Sequence, residues 1–278
     1  SRFQNSTINV FDFTEAISGR ILDFEHACVC NHNTVLVNDK NALAKADFLI
    51  YAAGYCNQIG ESRYSVAQGN KDLVSKIFSS VEVHEKTKVI VVTNPVEPVS
   101  LWIHTILKQK NLVIGTGTSL DTARLISLIA TNLNCQLKEI STSVIGEHGD
   151  WMIPIFSQTT INGIPIKKIA TEKLLETIKH DLKNAARKIR KTEKATKYGV
   201  AEICLQLILA LNGSESRIDC VSILIPQKLK NEFEVRTDLF VSIPVALSSD
   251  GYSYVNFTMD DLEKKEFRSA LQSISSAP

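Results

Sequence analysis

The chain has 278 residues, 44% of them hydrophobic and 22% charged, with a formal net charge of +1. That length suits one large or two moderate domains with a sizeable core, and the near-zero charge offers no field for nucleic acid or an anionic membrane. No apolar run approaches the roughly 20 residues that span a bilayer, and Ser1-Arg2-Phe3-Gln4-Asn5 lacks the charged-then-apolar pattern of a leader, so a cytoplasmic protein is expected.

In chain order, Thr7 to Phe11, Asp47 to Ala52 and Lys88 to Val92 are near-continuous apolar runs, the pattern of parallel strands covered on both faces. Between the second and third, Ser65 to Val83 carries apolar residues at helical spacing. Strand, helix, strand predicts a doubly wound α/β sheet. The character changes near residue 120. Leu120 to Leu133 reads as an amphipathic helix, and Ile161-Asn162-Gly163-Ile164-Pro165 as a hairpin turn. Glu172 to Lys197 reads as a long helix whose Lys and Arg residues form a solvated face. Strands return at Val221 to Ile225 and Leu239 to Ile243, and a terminal helix begins at Asp260. The expected division is residues 1–118 and 119–278, closely packed. The six cysteines, at 28, 30, 56, 135, 204 and 220, lie mostly in apolar runs. Cys28 and Cys30 are one residue apart, which suits neither a redox pair nor a zinc knuckle. Buried, reduced thiols and no metal site are expected.

Four segments carry chemistry. In Gly146-Glu147-His148-Gly149-Asp150, two glycines let the backbone turn sharply around an imidazole set between carboxylates. Such a ring can exchange a hydroxyl proton near neutral pH. In Leu120-Asp121-Thr122-Ala123-Arg124, Asp121 and Arg124 share one face of a helix start. Asp121 there is either a first-turn acidic cap or a partner that orients the histidine. Arg124 is either a surface arginine or a two-pronged carboxylate holder. Asn94, in Val92-Thr93-Asn94-Pro95, ends a strand, because Pro95 cannot extend the ladder. It is a turn residue or a polar contact to a ligand in the crevice at the strand ends. Finally, Gly54-Tyr55-Cys56-Asn57-Gln58-Ile59-Gly60 has the composition of a mobile lid. Arg63 beyond it pairs with Glu61 or solvent, or polarises a substrate carbonyl.

Together and in this order, these segments resemble the lactate/malate dehydrogenase family over nearly the whole chain. The resemblance implies a Rossmann-type NAD-binding half followed by an α+β substrate half, and a small 2-keto or 2-hydroxy acid as substrate. It makes His148 the proton donor and acceptor, Asp121 its partner, Arg124 the carboxylate binder and Arg63 the group that polarises the carbonyl. Asn94 contacts the reacting oxygen and the nicotinamide side. Asp12 accepts from the adenosine ribose hydroxyls, which selects NAD. Gly54, Tyr55, Val92 and Thr116 match positions lining the cofactor. Gln58 and Thr196 are the lactate-type choices in the substrate pocket, where malate-type members carry arginine at the position of Gln58. The resemblance therefore implies pyruvate/L-lactate dehydrogenase activity in a homodimer or homotetramer. Malate or another 2-hydroxy acid is the alternative substrate, and a truncated non-catalytic relative the alternative role.

The sequence departs from the family at its front. The family begins with a strand, a Gly-x-Gly-x-x-Gly turn and a helix facing the pyrophosphate. Here residues 1–6 read as the end of that helix, and about 30 residues of the unit are missing from the sequence. Gly115-Thr116-Gly117 lacks the context to substitute. Either the sequence is a fragment, which the intact downstream catalytic positions favour, or the protein lacks the unit, in which case the sheet would lose its central strand and expose a pairing edge.

Overall fold

A computed structural model describes residues 4–12, 18–56, 63–193 and 195–276, without the side chains of Arg63 and Tyr64. The first half runs β1 (Thr7–Val10), α1 (Ser18–Val29), β2 (Thr34–Val37), α2 (Lys40–Leu43), β3 (Phe48–Tyr51), α3 (Ala67–Ser80), β4 (Lys88–Val91), α4 (Val96–Ile106) and β5 (Val113–Gly115). Next come α5 (Ser119–Leu133), β6 (Ile140–Ser141), β7 (Val144–Gly146), β8 (Met152–Pro154), β9 (Thr160–Ile161) and β10 (Ile164–Pro165). The chain finishes with α6 (Glu172–Arg190), α7 (Tyr198–Leu211), β11 (Arg217–Leu224), α8 (Gln227–Phe233), β12 (Phe240–Ser248), β13 (Gly251–Tyr254) and α9 (Asp261–Ser275).

The main sheet has the order β3-β4-β5-β11-β12-β7-β8, with β13 paired to β12. Its first three strands are parallel, and the rest join antiparallel. Val89, Ile90 and Val91 of β4 are fully buried, as a strand covered on both faces requires. The α/β sheet followed by an α+β half is therefore as the sequence implied.

β1 and β2 form a separate two-stranded parallel sheet. Among the described residues nothing pairs with the outer edge of β3, where Ile50 is 46% exposed. The expected helix end over residues 1–6 falls partly outside the described residues; residues 4–6 are non-helical, and Asn5 has φ 57°. Asparagine adopts this left-handed conformation readily, and β1 begins two residues later.

Three buried clusters hold the layers. One packs α7 and α9 on β11 and β12, another packs α3 and α4 on the parallel strands, and the third joins α5, α6 and the small β10-β9-β6 sheet. Leu175, Ile178 and Leu182 form the buried stripe of α6 at helical spacing, each contributing about 1.5–3 kcal/mol. That stripe runs out at the half-exposed Ile189, and α6 ends at Arg190, not Lys197 as the charge pattern suggested. Thr196 consequently lies in the connection to α7. The Ile161–Pro165 hairpin is present, its two-residue turn supplied by Asn162 at φ 50° and Gly163 at φ 78°.

The cysteines divide. Cys28, Cys204 and Cys220 are buried, whereas Cys30 and Cys56 are exposed. Burial pushes the Cys204 thiol up to about 11 and the Cys220 thiol to about 12, so neither is a ready thiolate. Among the described residues no helix is long and apolar enough to cross a membrane, and no cluster of His, Cys, Asp and Glu is arranged to hold a metal.

Candidate active site

Asp121 enters on the first turn of α5 and is fully buried. Its two carboxylate oxygens have different partners. Oδ2 lies 2.6 Å from His148 Nδ1, and Oδ1 accepts from Arg124 Nη1 at 2.9 Å. Two threonines bracketing Asp121 fix this meeting of helix and strand. Thr118 Oγ1 donates to the Val144 carbonyl at 2.5 Å, and the Val144 N–H donates to Thr122 Oγ1 at 3.1 Å. β7 is thereby registered against α5. Four residues beyond Val144, the turn places His148 over Asp121. Gly146 makes the turn possible: its φ is 95°, and a Cβ there would sit 2.6 Å from the Trp151 carbonyl. The histidine thus stands on a built turn over a buried carboxylate, and the Asp121–Arg124 pair is more than a helix cap.

Burial opposes ionisation of Asp121, but adjacent His148 and Arg124 more than offset it and hold the carboxyl below its usual range. An ionised Asp121 can only accept, so His148 Nδ1 carries the proton. Because the folded value lies below the unfolded one, this carboxyl stabilises the fold above about pH 4, and the contribution disappears as pH falls through the folded value. Asp121→Asn is therefore expected to unfold more easily than the wild type at neutral pH, with the gap closing on acidification. Urea titrations of both proteins between pH 7 and pH 3 check this; a gap that widens in acid would contradict it.

Asn94 follows β4, whose ladder stops at Val91, three residues earlier than the sequence suggested. Val92 N–H still donates to the Tyr51 carbonyl at 2.9 Å; beyond it the chain turns into α4 at Val96. Asn94 itself is exposed. Its carbonyl accepts from Asn70 Nδ2 at 2.7 Å, while Asn70 Oδ1 accepts from the Tyr55 N–H at 2.7 Å. One fully buried amide on α3 thus ties the loop after β3 to the loop after β4. Three residues past Asn94, Glu97 is 1% exposed, and its Oε1 accepts from the His148 backbone N–H at 2.9 Å. Sequence reasoning passed over both. Asn70 had a readable signal, because it interrupts the buried stripe Ala67, Val74, Ile77 of α3.

The residues matched to the cofactor sit at the carboxyl ends of parallel strands, where ligands bind open α/β sheets. Gly54 and Tyr55 follow β3, Val92 follows β4, and Thr116 follows β5 with its N–H on the Val91 carbonyl at 2.8 Å. A Cβ on Gly54 would meet Thr93 Cγ2 at 2.3 Å, so only glycine lets these strand ends close up. Asp12 follows β1, its N–H donating to Asn38 Oδ1 at 2.9 Å. It stands on the separate two-stranded sheet, so no ladder links it to Gly54. Gly54, Tyr55, Val92 and Thr116 stand at the strand ends where an open α/β sheet takes a dinucleotide. A glycine-rich strand–turn–helix for its diphosphate is absent among the described residues. Thr196 is half-buried near the start of α7, where a Cβ on Gly199 would lie 2.9 Å from Leu120 Cδ1, so this connection runs beside the first turn of α5. Arg63 begins a short 3-10 turn before α3, and Gln58 lies outside the described residues.

Residues 2–115 match the family model for the lactate/malate dehydrogenase NAD-binding domain, and residues 118–277 that for the lactate/malate dehydrogenase α/β C-terminal domain. A malate dehydrogenase of Methanosphaera stadtmanae is 32% identical over 94% of this chain and 83% of its own length. An L-lactate dehydrogenase of Pseudothermotoga lettingae is 28% identical over 90% of this chain and 80% of its own. Among solved structures, the lactate dehydrogenase of Cryptosporidium parvum superposes with a TM-score of 0.87 at 19% identity, covering 98% of this chain and 88% of that one, which speaks for the fold alone. The chain belongs to the lactate/malate dehydrogenase family of NAD-binding oxidoreductases.

Proposed function

We propose that the chain interconverts pyruvate and L-lactate, with His148 as proton donor and acceptor. The observation that carries this reading is the buried Asp121 carboxylate held between His148 Nδ1 and Arg124 Nη1. It supplies a histidine of fixed orientation and an arginine placed beside it, the two groups that a 2-keto acid's oxygen and carboxylate need. NAD supplies the hydride chemistry, and Asp12, Gly54, Tyr55, Val92, Asn94 and Thr116 are the residues proposed to hold it. In this reading His148 Nε2 delivers or removes the hydroxyl proton. Arg124 binds the carboxylate through guanidinium donors beyond the one given to Asp121, and Arg63 offsets the charge growing on the oxygen. Residues 1–118 form the cofactor half and 119–278 the substrate half of a cytoplasmic homodimer or homotetramer.

Gln58 and Thr196 direct the choice of pyruvate: a neutral amide and a hydroxyl leave the second carboxylate of oxaloacetate unpaired. Oxaloacetate is the competing substrate, favoured by the relative named malate dehydrogenase. Two measurements test the reading. NADH fluorescence is expected to change on binding and to change further with oxamate, a pyruvate mimic. Steady-state reduction is expected to favour pyruvate over oxaloacetate by at least about tenfold in kcat/KM, the discrimination of one mismatched polar contact. Absence of NADH binding would count against the dehydrogenase reading of this chain. A preference for oxaloacetate would replace lactate with malate.

A further inference from the structure

We infer that Glu97 is a positioning residue for His148, fixing the histidine's backbone while Asp121 fixes its ring; the catalytic consequence rests on the proposed dehydrogenase reading.

A hydrogen bond at Nδ1 sets the direction of an imidazole but not the position of the Cα that carries it. His148 stands on a turn entered through the positive-φ Gly146, a backbone that a single side-chain contact leaves able to pivot. The second restraint is on its own N–H, which donates to Glu97 Oε1 at 2.9 Å. Glu97 comes from α4, 51 residues away in sequence, and is buried beneath the turn. Ser242 Oγ on β12 approaches the same oxygen at 3.4 Å. The histidine is therefore gripped by two buried carboxyl groups from different helices, one at the ring and one at the backbone. Glu97 also sits in the first turn of α4, three residues after Asn94, so the short segment offering Asn94 to the substrate pocket also holds His148. Arg124 is anchored separately, through Asp121. Loss of the Glu97 contact should displace the proton-exchanging group and leave carboxylate binding alone.

Two substitutions separate the hydrogen bond from the packing. Glu97→Met keeps the volume and removes the acceptor, while Glu97→Gln keeps an acceptor oxygen. Displacement of a reacting group by about 1 Å is expected to lower kcat by about 10–100-fold in Glu97→Met, with the pyruvate KM within about threefold of wild type. Glu97→Gln is expected to retain kcat within about threefold, the rescue that a lost-volume effect would not show. A second readout needs no activity. The low-field proton resonance of His148 Nδ1–H, assigned by its disappearance in His148→Asn, is expected to shift or broaden in Glu97→Met and to persist in Glu97→Gln. An unmoved resonance in Glu97→Met would overturn the inference, whatever happens to kcat, because the ring would still be in place. Glu97→Gln falling as far as Glu97→Met in both readouts would overturn it too. If the wild type reduces no 2-keto acid, the proposed function fails, and the resonance still decides the role of Glu97.

Discussion

His148→Asn is expected to lower kcat for pyruvate reduction by about 10²–10⁴-fold, the usual worth of a positioned acid–base group. Asparagine is the informative choice because of what lies beneath the ring. Asp121 is fully buried, and its Oδ2 accepts from His148 Nδ1 at 2.6 Å. An asparagine amide can still donate toward that oxygen, so the carboxylate keeps a partner and the fold is spared. Alanine would leave the same oxygen without its donor, at a cost of about 3–5 kcal/mol for a broken buried pair, and lost stability would be confused with lost chemistry. With asparagine, the thermal midpoint and NADH affinity should stay near wild type while turnover collapses. Steady-state kinetics beside a fluorescence titration check this. A kcat within tenfold of wild type would mean that another group exchanges the proton.

The members of that pair were legible in the sequence because each is local, while their pairing came from the family resemblance. Gly146-Glu147-His148-Gly149 announces a sharp turn around an imidazole, and Asp121 with Arg124 occupies one helix face. The restraints that make the pair work are not local. The Glu97 contact to His148 spans 51 positions and the Asn70 contact to Asn94 spans 24. A carboxylate in the first turn of a helix reads, by itself, as a favourable charge at the positive end of the dipole. Nothing in its neighbourhood says that a distant turn will bring an N–H to it.

The fold divided in the same way. Strands β3 and β4 stood out as apolar runs, but β5 has only three residues and escaped notice. The helix α7 escaped for a different reason: much of its length, Val200 to Leu211, is apolar around most of its circumference, which hides the helical period. The end of α6 was misplaced because charge continues past Arg190 while the buried stripe does not. Packing stops a helix where its apolar face loses its partner, and charged composition carries no mark of that point.

Gln58→Arg is expected to reverse the substrate preference, raising kcat/KM for oxaloacetate relative to pyruvate by about 10²-fold or more. The estimate follows from pairing one desolvated carboxylate, worth about 3 kcal/mol, with tenfold per 1.4 kcal/mol. Gln58 lies outside the described residues, in the sequence between Tyr55, whose N–H donates to Asn70 Oδ1, and the turn before α3. The family resemblance gives Gln58 the part of reading the end of the substrate farthest from the carboxylate that Arg124 is proposed to bind. A third-carbon methyl there is compatible with a neutral amide, whereas a carboxylate needs a cation. Arginine supplies that cation in two-pronged form; lysine at the same position would pair less completely and should shift the preference less. The substitution leaves Asp121, Arg124 and His148 untouched, so kcat for the preferred acid should remain high and the effect should appear in the ratio of the two substrates. Parallel kinetics with both acids measure that ratio. If it moved by less than threefold, Gln58 would not be the residue that reads the far end. The pocket wall at Thr196, in the connection that runs beside Leu120, would then be the place to look, and the lactate-type assignment drawn from Gln58 would lose its physical basis.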